Sequence, residues 1–176
     1  MMNELINHLK ERFSVDEVRD SAAGQPFVTV EKEKLVPMIT SLQANHGFTV
    51  LVIYTAVDWI EQGRFQLTYV VNNPAEKMDL GIRVYIDREG AVMDSIHHLW
   101  KHAATFQREM KEMFGIDFPG SPGLDEPFFL EGWDNIPPMR REFDTKKYSE
   151  ETYFPRPGRS TNDPATYMKQ KLYPDE

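Results

Sequence analysis

The sequence contains no cysteine, and that single absence removes several chemistries. Disulfide staples, thiolate nucleophiles, Cys-type zinc sites and cysteine-ligated iron–sulfur clusters are all excluded. Long hydrophobic runs are missing too. The longest apolar stretch, Phe48 to Ile60, is 13 residues and carries Asp58, whereas a bilayer-spanning helix needs about 20. Positive charge is scarce, with 20 basic against 28 acidic side chains and a net charge of −8. No basic stripe is available to neutralise phosphates, so nucleic acid is excluded as a general partner. The opening run Met1 to His8 lacks the basic start and apolar stretch of a secretion signal, which makes a cytoplasmic location the expectation. No glycine-rich phosphate loop, dinucleotide fingerprint, zinc-protease histidine pair or nucleophile elbow is present.

What remains is a chain of 176 residues, 40% hydrophobic and 12% aromatic. That length suits one folded domain able to bury roughly 70% of its unfolded surface. Leu5, Ile6, Leu9 and Phe13 recur at helical spacing behind Asn3, a candidate cap, and predict a first helix. Phe27 to Val30 reads as a short strand. Leu35, Met38, Ile39 and Leu42 predict a second helix over Lys32–Asn45, stopped by Gly47. Three runs rich in Val, Ile, Tyr, Phe and Thr follow, at Phe48–Trp59, Phe65–Asn72 and Leu80–Asp87. Their short connectors fit an antiparallel meander. After a capped helical piece near Asp94-Ser95, the stripe Ala103, Phe106, Met110, Met113 and Phe114 predicts a helix over 103–114. The expected fold class is α+β: a mainly antiparallel sheet with N-terminal helices on one face, followed by a long extended C-terminal tail.

That tail is expected from Gly115 onward, because nine of the twelve prolines lie between residues 115 and 176. The division is thus 1–114 for the compact domain and 115–176 for the tail. The tail is nevertheless studded with Phe128, Phe129, Trp133, Ile136, Phe143, Tyr153 and Phe154. Disordered tails are poor in such residues, so it either straps across a partner or folds back over its own sheet.

Candidate chemistry is thin. His98 and His102 are four apart and would share a helical face if one helix ran unbroken between them, with Glu109 or Glu112 as a third metal ligand. A small metal-dependent enzyme is the alternative reading. Asp58, Glu61, Asp94, Glu109 and Glu112 read as solvated carboxylates in a chain that is 27% charged.

The run Phe106-Gln107-Arg108-Glu109-Met110-Lys111-Glu112-Met113-Phe114-Gly115-Ile116-Asp117-Phe118-Pro119-Gly120-Ser121-Pro122 resembles the signature of the C-type, 30-kDa subunit of NADH-quinone oxidoreductase, the respiratory complex I family. Trp133 with Pro138-Met139-Arg140-Arg141-Glu142-Phe143 resembles a later block of the same family, and the likeness covers about residues 90–145. Arg108, Glu109, Gly115, Phe118, Gly120 and Pro122 match its pattern. Gln107 stands where the pattern has Glu, Lys111-Glu112 where it has an aromatic and Asp, Ser121 where it has His, and Asp125-Glu126 where it has two arginines. These departures point to a divergent member or a related membrane-bound hydrogenase-type subunit.

The resemblance implies a non-catalytic structural subunit of a peripheral-arm complex that couples quinone reduction to ion translocation. It implies no catalytic, cofactor or metal site in this chain, with flavin and iron–sulfur clusters carried by partner subunits. The implied partners are the large hydrogenase-like, 49-kDa-type subunit and the small iron–sulfur subunit. Membrane association would come only through the complex, on the cytoplasmic side. The matched residues take architectural roles, and Trp133, Arg140, Arg141, Phe143, Tyr153 and Phe154 become the expected partner contacts. Independently of the family, Gly115 suits a left-handed helix terminus, and Phe118 is placed to pack back on that end.

Overall fold

A computed structural model describes residues 2–19, 25–153 and 163–173. Helix α1 (Met2–Phe13) buries Leu5, Ile6, Leu9 and Phe13, the stripe its sequence spacing anticipates. It begins before Asn3, which lies inside the helix and does not cap it. Strands β1 (Asp16–Arg19) and β2 (Pro26–Thr29) pair antiparallel. Helix α2 (Lys32–His46) ends at Gly47, whose φ of 73° is the left-handed geometry that glycine adopts at least cost.

Strands β3 (Val50–Trp59), β4 (Arg64–Asn73) and β5 (Met78–Asp87) form the expected meander. Among the described residues the sheet has five strands in the order β1-β2-β5-β4-β3. Alternation places Leu51, Tyr54 and Ala56 of β3, Phe65, Leu67, Tyr69 and Val71 of β4, and Leu80, Ile82 and Val84 of β5 on one buried face. A register shift between Leu51 and Ile53 adjusts β3 to that face. Residues of α1, α2 and helix α3 (Ala103–Phe114) join the same core. The α+β class holds.

Four features depart from the sequence reading. Strand β1 is absent from it, because a four-residue polar strand carries no alternation to detect. Strand β2 pairs parallel with β5 through Phe27↔Gly81, Val28↔Ile82 and Thr29↔Arg83, a long-range neighbour that local patterns do not specify. The helical piece expected near Ser95 is a series of single turns, such as Leu99 N–H to Ile96 carbonyl at 3.0 Å.

The fourth departure is the tail. The chain divides into compact units at residues 1–139 and 140–176. Residues 115–139 therefore belong with the sheet and not with a separate strap, since Ile116 and Phe118 are fully buried in its core. In the second unit, helices α4 (Thr145–Tyr153) and α5 (Pro164–Leu172) occupy stretches expected to be extended. Past its first residue, each runs through a proline-free stretch behind a local cap. Asp144 Oδ1 accepts the Lys147 N–H at 2.9 Å, and Asp163 Oδ1 accepts the Ala165 N–H at 3.0 Å ahead of Pro164 at the first turn.

Candidate functional site

The motif residues gather on α3 and the segment that follows it. Ala103, Gln107, Met110 and Phe114 form the helix's buried side. Phe114 meets Phe65 of β4 edge-on with ring centroids 6.0 Å apart. The helix stops at Gly115, with φ 74°. The Gly115 N–H bonds the Lys111 carbonyl at 2.9 Å and the Ile116 N–H reaches back to Met110 at 3.4 Å, so two otherwise orphaned carbonyls are satisfied.

The chain then enters the core. Asp117 exchanges main-chain hydrogen bonds with Ala91 and Met93 at 2.8 and 2.9 Å, and its carboxylate pairs with Lys111 at 2.7 Å. Phe118 is fully buried and edge-on to Tyr54 at 6.0 Å. Tyr54 in turn stacks on Tyr69 at 4.1 Å, with their hydroxyls 2.8 Å apart. Burial pushes both phenols well above their ordinary range. Gly120, at φ 81° with open space around it, turns the chain outward past exposed Pro122.

Three side chains of α3 bind what comes next. Gln107 is fully buried, and its Oε1 accepts hydrogen bonds from Ser95 Oγ at 2.8 Å and Ser121 Oγ at 2.7 Å. Arg108 Nη2 donates to the Pro127 carbonyl at 2.8 Å, with its guanidinium 5.8 Å from the Phe128 ring centroid. Glu112 accepts the consecutive N–H groups of Phe128, Phe129 and Leu130 at 2.7, 2.8 and 3.1 Å. Burial opposes its charge, but these donors and then Arg108 outweigh burial and hold its carboxyl below the ordinary range. Sequence reasoning places Glu112 on a solvated face. The residue is half-buried, and the advance signal was its place inside the motif run, where the pattern carries Asp. Glu109, matched in the motif, is half-buried on the same helix and takes no part in this clamp.

Of the expected partner contacts, Trp133 closes a local turn, its Nε1 donating to the Ile136 carbonyl at 3.0 Å. In the second unit, Arg140 lies 3.9 Å from Glu142, and the Phe143 ring centroid is 5.5 Å from that of Tyr148. Arg141 is exposed. Tyr153 is the last residue of α4, and Phe154 lies outside the described residues.

The two-histidine reading loses its premise. Helix α3 starts at Ala103, so no unbroken helix joins His98 to His102. His102 Nε2 instead lies 3.2 Å from the Leu51 carbonyl, and His97 Nδ1 2.9 Å from Ser95 Oγ. Among the described residues no group of three or more His, Asp or Glu side chains is arranged to hold a metal ion. A cavity of about 780 Å³ at the other end of the sheet is lined by Leu5, His8, His46, Phe48 and Met78, away from the motif. No described helix is long and apolar enough to cross a membrane.

Residues 28–149 match the family described as respiratory-chain NADH dehydrogenase, 30 Kd subunit. The chain is 30% identical over 142 residues to the C-type subunit of NADH-quinone oxidoreductase from Moorella thermoacetica, spanning 81% of this chain and 95% of that one. It is 29% identical over 154 residues to the corresponding subunit of Citrifermentans bemidjiense, spanning 86% and 94%. A match of 27% over 146 residues to the combined C/D polypeptide of NADH-quinone oxidoreductase from a Hydrogenobaculum species covers 81% of this chain and 24% of that longer protein. In fold, it resembles a chain of the membrane-bound sulfane sulfur reductase, an archaeal respiratory membrane complex, with a TM-score of 0.75, 22% identity, and coverage of 86% of this chain and 91% of that one. It also resembles the trypsin-resistant fragment of Nqo5, with a TM-score of 0.63, 21% identity, and coverage of 69% and 97%.

Proposed function

The chain belongs to the respiratory-chain NADH dehydrogenase 30-kDa subunit family, and from that premise we propose that it is the non-catalytic C-type subunit of a membrane-associated electron-transfer complex that reduces quinone. The supporting observation is how α3 uses its polar groups. Gln107, Arg108 and Glu112 are spent on holding residues 121–130. Such an arrangement organises a surface; it moves no electron or proton.

On this reading the redox centres, flavin and iron–sulfur clusters, sit on other subunits. The first partner is the large D-type subunit, a pairing supported by the relative in which C-type and D-type sequences form one polypeptide. The second is the small iron–sulfur subunit. The chain reaches the membrane only through them, on the cytoplasmic face, and the exposed residues beyond the buried Phe118 supply the contacts.

The test is affinity purification of the tagged full chain from detergent-solubilised native membranes. Co-purification of a D-type subunit and an iron–sulfur subunit, with quinone reductase activity in the same fraction, is the expected result. A monomer without those partners overturns the reading. Presence or absence of a flavin-bearing NADH-oxidising module in the fraction decides between an NADH-driven complex and a hydrogenase-type one.

A further inference from the structure

Helix α3 grips residues 127–139 by the main chain. Arg108 takes the Pro127 carbonyl, Glu112 takes the N–H groups of 128, 129 and 130, and the Met113 carbonyl takes the Met139 N–H at 3.0 Å. A segment held by its backbone has its side chains turned elsewhere. Phe129 is 74% exposed, Met139 55% and Ile136 40%. A loose loop would fold its phenylalanine inward. Here three consecutive N–H groups on one carboxylate fix the backbone and keep Phe129 outward.

Within residues 123–139 every charged side chain is acidic, with Arg108 beside Phe128 and Arg140 just beyond Met139 bordering the series. Asp125, Glu126, Glu131 and Asp134 are all exposed, and no lysine or arginine occurs between residues 123 and 139. An anionic membrane surface would repel such a ridge. So would the same ridge on a second copy of a chain whose net charge is −8.

We infer that residues 125–139 form a preorganised docking ridge for a partner protein, with Phe129 as the anchor entering an apolar pocket rimmed by lysine or arginine side chains. The inference rests on the reading of the chain as an assembly subunit. Backbone tethering lowers the ordering cost of docking, and the acidic flank selects a basic rim.

The experiment measures binding of the full chain to the purified D-type subunit of its own complex, at low and at physiological salt. Phe129→Ser is expected to weaken binding at least tenfold. Asp125→Lys/Glu126→Lys is expected to weaken it and remove most of its salt dependence, while Glu76→Lys, on the exposed β4–β5 turn beside the cavity at the other end of the sheet, leaves it unchanged. Circular dichroism should be unaltered in each variant, since all these side chains are exposed. A photo-crosslinker at position 129 should attach to a D-type segment with lysine or arginine neighbours. Wild-type chain that fails to bind overturns the parent reading. Binding that the variants leave unchanged, a crosslink elsewhere, or a dimer of the isolated chain that Phe129→Ser abolishes overturns the ridge alone.

Discussion

Ser121 Oγ donates a 2.7 Å hydrogen bond to Gln107 Oε1, so two residues that each depart from the family pattern form a single contact. Gln107 is fully buried and Ser121 nearly so. The neutral amide accepts from two hydroxyls without placing a charge in the core. Gln107→Glu should therefore destabilise the chain by at least about 1–3 kcal/mol at neutral pH. Burial would raise the new carboxyl's pKa above its unfolded value, so the loss should grow as pH rises through that interval and fade below it. Adding Ser121→His to the same chain should recover part of the loss. Urea unfolding at pH 7.5 and 5.0 reads both, and strictly additive effects would show that the two positions are uncoupled.

Glu112 gives a second pH signature. Its folded carboxyl lies below the ordinary 4.5, so its contribution is complete above that value and disappears as pH falls through the lower folded one. Protection of the amides at residues 128–130 against exchange, measured relative to their intrinsic rates, should fall in that acid window. Glu112→Gln should produce an acceleration of about tenfold already at neutral pH, the scale of one charge-assisted hydrogen bond. Unchanged exchange in the variant would show that the loop is held by something other than the carboxylate.

Much of this was legible in sequence where the pattern is local. The stripe of α3, its stop at Gly115 and the three long strands follow from spacing and from one φ-demanding glycine. The Glu112 clamp was not legible, because its donors are main-chain groups 16 to 18 residues away, and backbone N–H groups have no letter in a sequence. Proline density misled in the tail. It disfavours helix only where a proline falls inside the span, and even there α2 accommodates Pro37; the runs 145–153 and 165–172 are free of it.

Gly81 sits in the interior of β5 because Phe27 lies across it. A Cβ built there would come 2.2 Å from the Phe27 ring, at the point where β2 and β5 pair in parallel. Gly81→Ala should push the ring away and destabilise the fold by about 1–3 kcal/mol. Phe27→Ala in the same chain should relieve most of that clash. A double-mutant cycle in chemical denaturation checks it, and equal costs of Gly81→Ala with and without Phe27 would count against the close contact.

The His46 ring centroid lies 5.4 Å from that of His8. Burial, then the charges of His8 and Arg12, hold His46 below its ordinary 6.5. The unfolded chain therefore takes up this proton first. Stability should decline as pH falls from 6.5 toward the folded value, and the contribution should level off below it. Melting temperatures across pH 7.5 to 5.0 should show this slope, reduced in His46→Asn; an identical slope in the variant would assign the decline to other groups.

Asp58, whose side chain is 1% exposed, receives Arg88 Nε at 2.8 Å and Nη2 at 3.1 Å in a two-pronged pair. The Arg88 N–H also bonds the Gly63 carbonyl at 3.0 Å, so the end of β5 is tied to the β3–β4 turn by backbone and side chain together. Removing one partner of such a pair leaves the other charge buried. Arg88→Met should cost about 3–5 kcal/mol, most of it from the stranded carboxylate. Arg88→Lys should recover only part, since a point charge cannot reproduce the fork geometry. Asp58→Leu/Arg88→Met should cost less than Arg88→Met alone, because it removes the charge along with its partner. Urea midpoints for the three variants rank them. If the double variant proves the least stable, the pair's value lies in its attraction, and the stranded-charge account of Arg88→Met is wrong.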